Sequence, residues 1–209
     1  MTKTVLILSG GFDSTTLLYK LINEGKNVVA LSFNYGQKAS KELEYAKRTT
    51  SKLGTEHYIF DISTILELLK WSSLIDKDNN KVEAPQNTVV PSRNTILLEL
   101  ATAFAISNNC NEIYYGAIKG DINDYPDTTP AFLKQINELN KVNNYQYIPI
   151  KAPFVNLEKW EVAKIAIQLN VPFEDSWSCY LGGEEPCGEC FSCKGRIEAI
   201  MKARKELEL

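Results

Sequence analysis

Histidine is nearly missing from this sequence: His57 is the only one in 209 residues. It stands just ahead of Tyr58-Ile59-Phe60 with no cysteine near it in sequence, so it reads as a structural residue, and no glutaminase apparatus is visible. Long apolar runs are missing too. No stretch approaches 18 apolar residues, which excludes a transmembrane helix. The short run after Met1-Thr2-Lys3-Thr4 meets Gly10-Gly11 and Asp13 too soon for a signal peptide, so a cytoplasmic location is expected. An excess of either charge is also lacking, with 23 basic against 26 acidic residues and a formal net charge of -3. That argues against a strongly basic nucleic-acid binder and against an acidic disordered tail. No internal repeat or low-complexity tract is present.

What the sequence does have is enough chain for a real core. Its 209 residues, 44% of them apolar, fit one large domain or one domain with an appendage. Val5-Leu6-Ile7-Leu8 has the continuous apolar character of a parallel core strand and ends in a glycine turn. Leu17, Leu18, Leu21 and Ile22 then recur at helical spacing, and Gly25 closes that helix. A strand over Val28–Phe33, a helix over Glu42–Leu53 and a strand at Tyr58–Phe60 repeat the alternation, which predicts βαβ units on a parallel sheet.

Beyond it, a helix is expected over Ile62–Leu74 and a polar surface loop over Ile75–Asn87, long enough to mark function. Thr95–Ser107 predicts a buried helix with Ile96, Leu97, Leu100, Ala101, Phe104 and Ala105 on its apolar face. A strand at Ile113–Gly116 leads to a loop carrying Asp121, Asp124 and Asp127. Helices over Pro130–Leu139, Glu158–Leu169 and Lys194–Leu207 and a short strand at Tyr147–Ile150 complete the pattern. The expected division is an α/β domain over 1–171 and a small appendage over 172–209.

The appendage holds four of the five cysteines. Cys179, Cys187, Cys190 and Cys193 have the spacing C-x7-C-x2-C-x2-C, and Gly188 permits the turn. Four thiolates suit tetrahedral Zn²⁺ with no open position, a site that stabilises the local fold and leaves water alone. An iron–sulfur cluster is the rival. Cys110 stands apart as a small buried hydrophobe.

Ser9-Gly10-Gly11-Phe12-Asp13-Ser14-Thr15 lies between the first strand and the first helix, where α/β sheets bind ligands. Glycines let backbone approach an anion, and hydroxyls with free N–H groups of the first turn can donate to phosphate oxygens. Asp13 becomes sensible there if Mg²⁺ bridges it to a pyrophosphate. Neither G-x-x-x-x-G-K-[ST] nor G-x-G-x-x-G is present. Arg93, after Pro91-Ser92, opens the buried helix and offers a planar donor fork to phosphate. Lys119, just beyond a strand end, is a second candidate cation.

The Ser-Gly-Gly-x-Asp-Ser-Thr loop resembles that of the ATP pyrophosphatase (PP-loop) superfamily, whose members cleave ATP between the α and β phosphates and adenylate an oxygen. Reading outward, Phe33-Asn34-Tyr35-Gly36-Gln37, Val90-Pro91-Ser92-Arg93-Asn94, Tyr125-Pro126-Asp127, Pro153-Phe154 and Asp175 through Cys193 make most of the chain similar to the 7-cyano-7-deazaguanine synthase family. The resemblance implies an adenine nucleotide alpha hydrolase-like, Rossmann-like parallel sheet. It also implies adenylation of a 7-deazaguanine carboxylate by ATP, amide formation with free ammonia, and a second ATP-driven step to the nitrile. The implied ATP contacts are Leu8, Ser9, Gly10, Gly11, Phe12, Asp13, Ser14, Thr15, Leu31, Phe33, Tyr35 and Gln37. Asp13, Arg93 and Lys119 are the expected catalytic groups. Tyr125, Asp127 and Phe132, with Arg93, are the expected contacts to the deazapurine, and a homodimer is expected.

The chain departs from the family pattern at Lys38-Ala39-Ser40, Ala131 and Lys194-Gly195-Arg196. A relative that halts at the amide, or joins the deazapurine to another amine, is therefore an alternative. A tRNA-modifying PP-loop enzyme would want a basic surface and an RNA-binding module. A nucleotide-sensing zinc module would not need Gly10, Gly11, Asp13 and Ser14 intact.

Overall fold

The computed structural model describes residues 3–37, 41–66, 89–119, 125–181 and 183–208. The expected alternation is present. Strand β1 (Lys3–Ile7) leads into helix α1 (Phe12–Asn23), followed by β2 (Asn27–Asn34), α2 (Lys41–Leu53), β3 (Glu56–Asp61) and a short α3 (Ser63–Leu66). Then come α4 (Arg93–Ser107), β4 (Cys110–Tyr114), α5 (Pro130–Asn143), β5 (Ile150–Lys151), α6 (Lys159–Gln168) and α7 (Phe191–Glu206). The remainder of the expected 62–74 helix and the 75–87 loop lie outside the described residues.

The five strands form one parallel sheet in the order β3-β2-β1-β4-β5. The order reverses between β1 and β4, and a crevice opens at the carboxyl ends of strands at such a switch point. Alternation along β1 and β2 divides the core by face. Val5, Val29, Leu31 and Phe33 pack with Leu97, Leu98 and Ala101 of α4 and Ile136 of α5. On the opposite face Leu6, Val28 and Ala30 pack with Leu17, Leu18 and Leu21 of α1 and with Val162, Ala163 and Ala166 of α6. Each large side chain removed from water in these layers contributes about 2 kcal/mol, so the doubly covered sheet is the rigid frame on which the loops sit.

Several expected boundaries shift for local reasons. Helix α4 starts at Arg93 because Ser92 takes a left-handed conformation (φ 56) that turns the chain into the helix. Leu100, expected on its buried face, is exposed. β5 covers only Ile150–Lys151, and Tyr147 is exposed instead, its hydroxyl donating to Asn137 Oδ1 (3.0 Å). The C-terminal segment joins the second core layer through α7, where Ala199 and Ala203 bury against α6. No described helix is long and apolar enough to cross a membrane.

His57 lies in β3 between two hydroxyls. Its Nε2 is 2.8 Å from Ser32 Oγ and its Nδ1 is 3.1 Å from Thr50 Oγ1. Ser32 Oγ also reaches the Leu8 carbonyl (2.5 Å) and Thr50 Oγ1 the Ala46 carbonyl (2.8 Å), so both hydroxyls are anchored to backbone as well as to the ring. Burial lowers the ring's pKa, and the charge of Lys47 acts in the same direction. His57 is a neutral brace that ties β3 to β2 and α2, a structural residue as its sequence surroundings suggested.

Candidate active site

The loop after β1 is shaped by two backbone demands. Gly10 has φ +88, and a Cβ there would lie 1.9 Å from the Glu42 carbonyl oxygen at the start of α2. Gly116, after β4, sits so close to α1 that a Cβ would meet Ser14 N at 3.2 Å. The loop is thus clamped between the first turn of α2 and the end of β4.

Within it a closed ring of hydrogen bonds fixes the hydroxyls. The Gly11 N–H donates to Ser9 Oγ (3.1 Å), and Ser14 Oγ donates to the Gly11 carbonyl (3.1 Å). A carbonyl only accepts, so Ser9 is the donor in its 2.9 Å bond to Ser14. Gly11 caps α1 with no side-chain acceptor. The first-turn N–H groups, which no intrahelical carbonyl satisfies, therefore form an anion cradle.

The cradle opens into a cavity of about 260 Å³. Of the expected residues, Ser9, Gly11, Phe12, Asp13, Ser14, Tyr35, Gln37, Arg93 and Tyr125 line it. Asp13 offers Oδ2 to Lys159 Nζ at 3.0 Å, while its Oδ1 is buried without a partner. Arg93 donates to Tyr35 Oη (3.2 Å). Gln37 ties down the loop after β2: its Nε2 donates to the Phe33 carbonyl (3.2 Å) and its Oε1 accepts from Tyr35 N–H (2.9 Å).

The structure does not bring the other expected contacts into this lining. Leu8 and Leu31 are spent on the sheet, with the Leu8 N–H donating to the Leu31 carbonyl (2.8 Å). Phe33 stacks on Phe60 in the core. Gly10 turns its carbonyl to Trp177, and Thr15 is fully buried with its hydroxyl unpartnered. Lys119 pairs with Glu158 on the surface (2.9 Å); the second cation in the lining is Lys159. Asp127 accepts the Asn94 N–H at Oδ2 (3.2 Å), which satisfies an orphan donor in the first turn of α4. Phe132 packs against the α4 core layer. Asp121, Asp124 and Lys38-Ala39-Ser40 lie outside the described residues.

Residues that sequence reasoning did not place also line the cavity, among them Glu42, Asn94, Tyr115, Lys159, Tyr180 and Ser192. Burial pushes the Glu42 carboxyl up to about 7, against the pull of Arg93. The Tyr115 hydroxyl is buried without a partner, and burial raises its pKa, with the Asp127 charge acting in the same direction.

The cysteine segment is attached to the cradle. Trp177 is buried, donates its backbone N–H to the Gly10 carbonyl (2.9 Å) and its Nε1–H to the Cys179 carbonyl (2.7 Å). Arg196 donates to the Ser176 carbonyl (2.9 Å), to Ser178 Oγ (3.3 Å) and to the Phe173 carbonyl. The sulfurs of Cys179, Cys187, Cys190 and Cys193 lie within 4.8 Å of one another and could hold a metal ion. N–H groups of Cys190 and Glu189 point at Cys187 Sγ and draw its thiol down to about 7. Burial raises the Cys179 and Cys193 thiols. Buried thiols of that kind ionise when a cation compensates them.

The profile of the family described as "Queuosine biosynthesis protein QueC" matches residues 3–204. The chain belongs to the QueC family. It is 42% identical over 208 residues to 7-cyano-7-deazaguanine synthase of Marinomonas sp. (strain MWYL1), covering 97% of this chain and 95% of that one. The synthase of Hahella chejuensis (strain KCTC 2396) is 44% identical over 205 residues, with 96% and 89% covered. Among solved structures, the U34-tRNA thiolase NcsA of Methanococcus maripaludis superposes with a TM-score of 0.55 at 17% identity, covering 99% of this chain and 73% of that one. That likeness shows that the two chains share a fold.

Proposed function

We propose that this QueC-family chain is an ATP-dependent carbon–nitrogen ligase that converts 7-carboxy-7-deazaguanine and ammonia to 7-cyano-7-deazaguanine, a queuosine precursor. The observation that carries this reading is the α1 cradle opening, with Arg93 and Lys159, into one cavity. An oxyanion-rich substrate that gains charge on its phosphoryl oxygens during transfer needs such fixed donors and cations.

The first-turn N–H groups of α1 hold phosphate oxygens, and Arg93 and Lys159 balance the charge that develops when the substrate carboxylate displaces pyrophosphate. The buried Oδ1 of Asp13, with no partner of its own, suits one position of a Mg²⁺ ion, which supplies further charge neutralisation. Tyr35 and Gln37 would flank the nucleotide. Tyr115 and Tyr125 are aromatic side chains of the lining that could meet a flat heterocycle. No cysteine or histidine stands among the described lining residues, and free ammonia is the nitrogen source in this reading.

The metal of the cysteine cluster is assigned as Zn²⁺. A tetrahedral Zn²⁺ with Zn–S bonds of about 2.3 Å sets its sulfurs about 3.8 Å apart, and Cys187 and Cys193 stand at 4.0 Å. Four protein ligands complete the shell, so its role is to fasten the segment that meets Gly10. A homodimer in the cytoplasm is the expected setting.

The test is mass spectrometry of a reaction containing the protein, ATP, Mg²⁺, ammonium and 7-carboxy-7-deazaguanine. Nitrile, AMP and pyrophosphate are the expected products. Accumulation of the amide alone would identify the alternative in which the second activation has been lost, and the absence of deazapurine-dependent pyrophosphate release would overturn the reading.

A further inference from the structure

Amide formation and dehydration both require protons to leave nitrogen, and the cavity offers few groups that can take them. Arg93 and Lys159 are cations, and the described lining has no histidine. Its carboxylates are Asp13 and Glu42. Asp13 gives Oδ2 to Lys159 (3.0 Å), and its unpartnered Oδ1 is the position that suits Mg²⁺ in the ligase reading. Glu42 differs. Among the described residues no hydrogen-bond donor is assigned to its side chain, and its Oε1 lies 3.9 Å from where a Cβ on Gly11 would stand, beside the cradle. Its backbone is held against Gly10, so the carboxylate has a fixed origin relative to the phosphate site.

We propose that Glu42 is the general base for the nitrogen chemistry, an assignment that rests on the ligase reading above. In the first step ammonia's lone pair attacks the acyl-adenylate carbon, the carbon–oxygen bond to AMP breaks, and Glu42 takes one proton from the cationic nitrogen to leave a neutral amide. In the second, the amide oxygen attacks the α-phosphorus of ATP and pyrophosphate leaves. Glu42 then removes the nitrogen's two remaining protons in turn, returning the first to solvent before taking the next. The nitrogen's electrons form the triple bond as AMP departs as an anion.

The surroundings suit the task. Arg93 from α4 and Tyr35 after β2 face Glu42, and Asp13 and Lys159 share the cavity with it. Burial outweighs Arg93 and leaves the carboxyl at about 7, where a group can both accept a proton and release it at neutral pH.

The experiment compares the protein with Glu42→Gln at fixed concentrations of unprotonated ammonia across pH 6 to 9. Hydroxylamine, a nucleophile that needs little help from a base, traps the acyl adenylate in parallel. The expected result is a fall of about 100-fold in ammonia-dependent amide formation, loss of the inflection near neutrality, and hydroxamate formation reduced only a few-fold. Glu42→Asp should recover part of the rate together with an inflection, and it carries the comparison should the glutamine variant fail to fold. An unchanged ammonia rate and pH profile in Glu42→Gln would overturn the proposal. Equal losses with ammonia and hydroxylamine would also overturn it and reduce Glu42 to a binding residue. If the wild-type protein itself forms no hydroxamate from the deazapurine, the ligase reading fails and takes this assignment with it.

Discussion

Lys159 Nζ stands 3.0 Å from Asp13 Oδ2 although the two residues are 146 positions apart. The contact joins the first turn of α6 to the first turn of α1 across the mouth of the cradle. Of the two lysines, Lys159 lines the cavity, whereas Lys119 pairs with Glu158 on the surface.

Replacement of Lys159 with methionine should therefore slow pyrophosphate release by about 100- to 1,000-fold, the usual loss for one fixed charge-stabilising group. The side chain is only partly buried, so the thermal midpoint should change little. Lys119→Met, which breaks a surface pair with Glu158, should leave the rate within a factor of about two. A reversal of this order would move the catalytic cation back to Lys119.

Gly10 and Gly25 both have positive φ, but only Gly10 has a neighbour where a side chain would start. Gly25→Ala should cost about 1 kcal/mol from backbone strain alone. Gly10→Ala adds a 1.9 Å approach to the Glu42 carbonyl and should cost about 3 kcal/mol or more while displacing the start of α2. Urea unfolding of the two variants measures the difference.

Much of this site was legible because its motifs are local. Ser9 through Thr15 form one strand–turn–helix junction, and the four cysteines occupy 15 consecutive positions, so their order alone brings them together. Glu42 and Lys159 carried no comparable signal. Each opens an ordinary amphipathic helix, and only the winding of β2 and α6 around the switch point carries them to the cradle. Asp127 was legible as a carboxylate after a strand end, but not its local bond: its Oδ2 accepts the N–H of Asn94. The body strands were readable from their apolar runs, whereas β5 was short and displaced because its pairing is set by β4 and not by its own pattern.

Metal removal should act on the fold and on the cradle together. A strong chelator, or Cys190→Ser, should release about one equivalent of Zn²⁺ per chain and lower the thermal midpoint, since the binding free energy of such a site is folding free energy. Pyrophosphate release should fall in parallel, because Trp177 passes from the cluster to the Gly10 carbonyl. Metal analysis with an unfolding scan checks this, and a visible absorption band with iron in place of zinc would contradict the assignment.

Glu112 supplies a test at the sheet. Burial opposes its ionisation, but hydrogen bonds from Lys151 (2.6 Å) and Lys26 (2.6 Å) outweigh it and draw the carboxyl down to about 2 from 4.5. A depressed folded pKa contributes stability above the unfolded value that is lost as pH falls towards the folded one. Glu112→Gln should cost about 1–2 kcal/mol at neutral pH, reduced by the partial exposure of both lysines. That deficit should shrink as pH drops from about 5 towards 2, as followed by urea unfolding.

The solitary imidazole has a further consequence. His57 is braced between Ser32 and Thr50 and stands outside the cavity lining, so reagents that acylate imidazole have no target where substrates meet. Soft, thiol-seeking metal ions would find their ligands at the four-cysteine cluster, outside that lining. Inhibition by such ions should therefore track their binding to the four cysteines, and it should be relieved by thiols and not by added substrate.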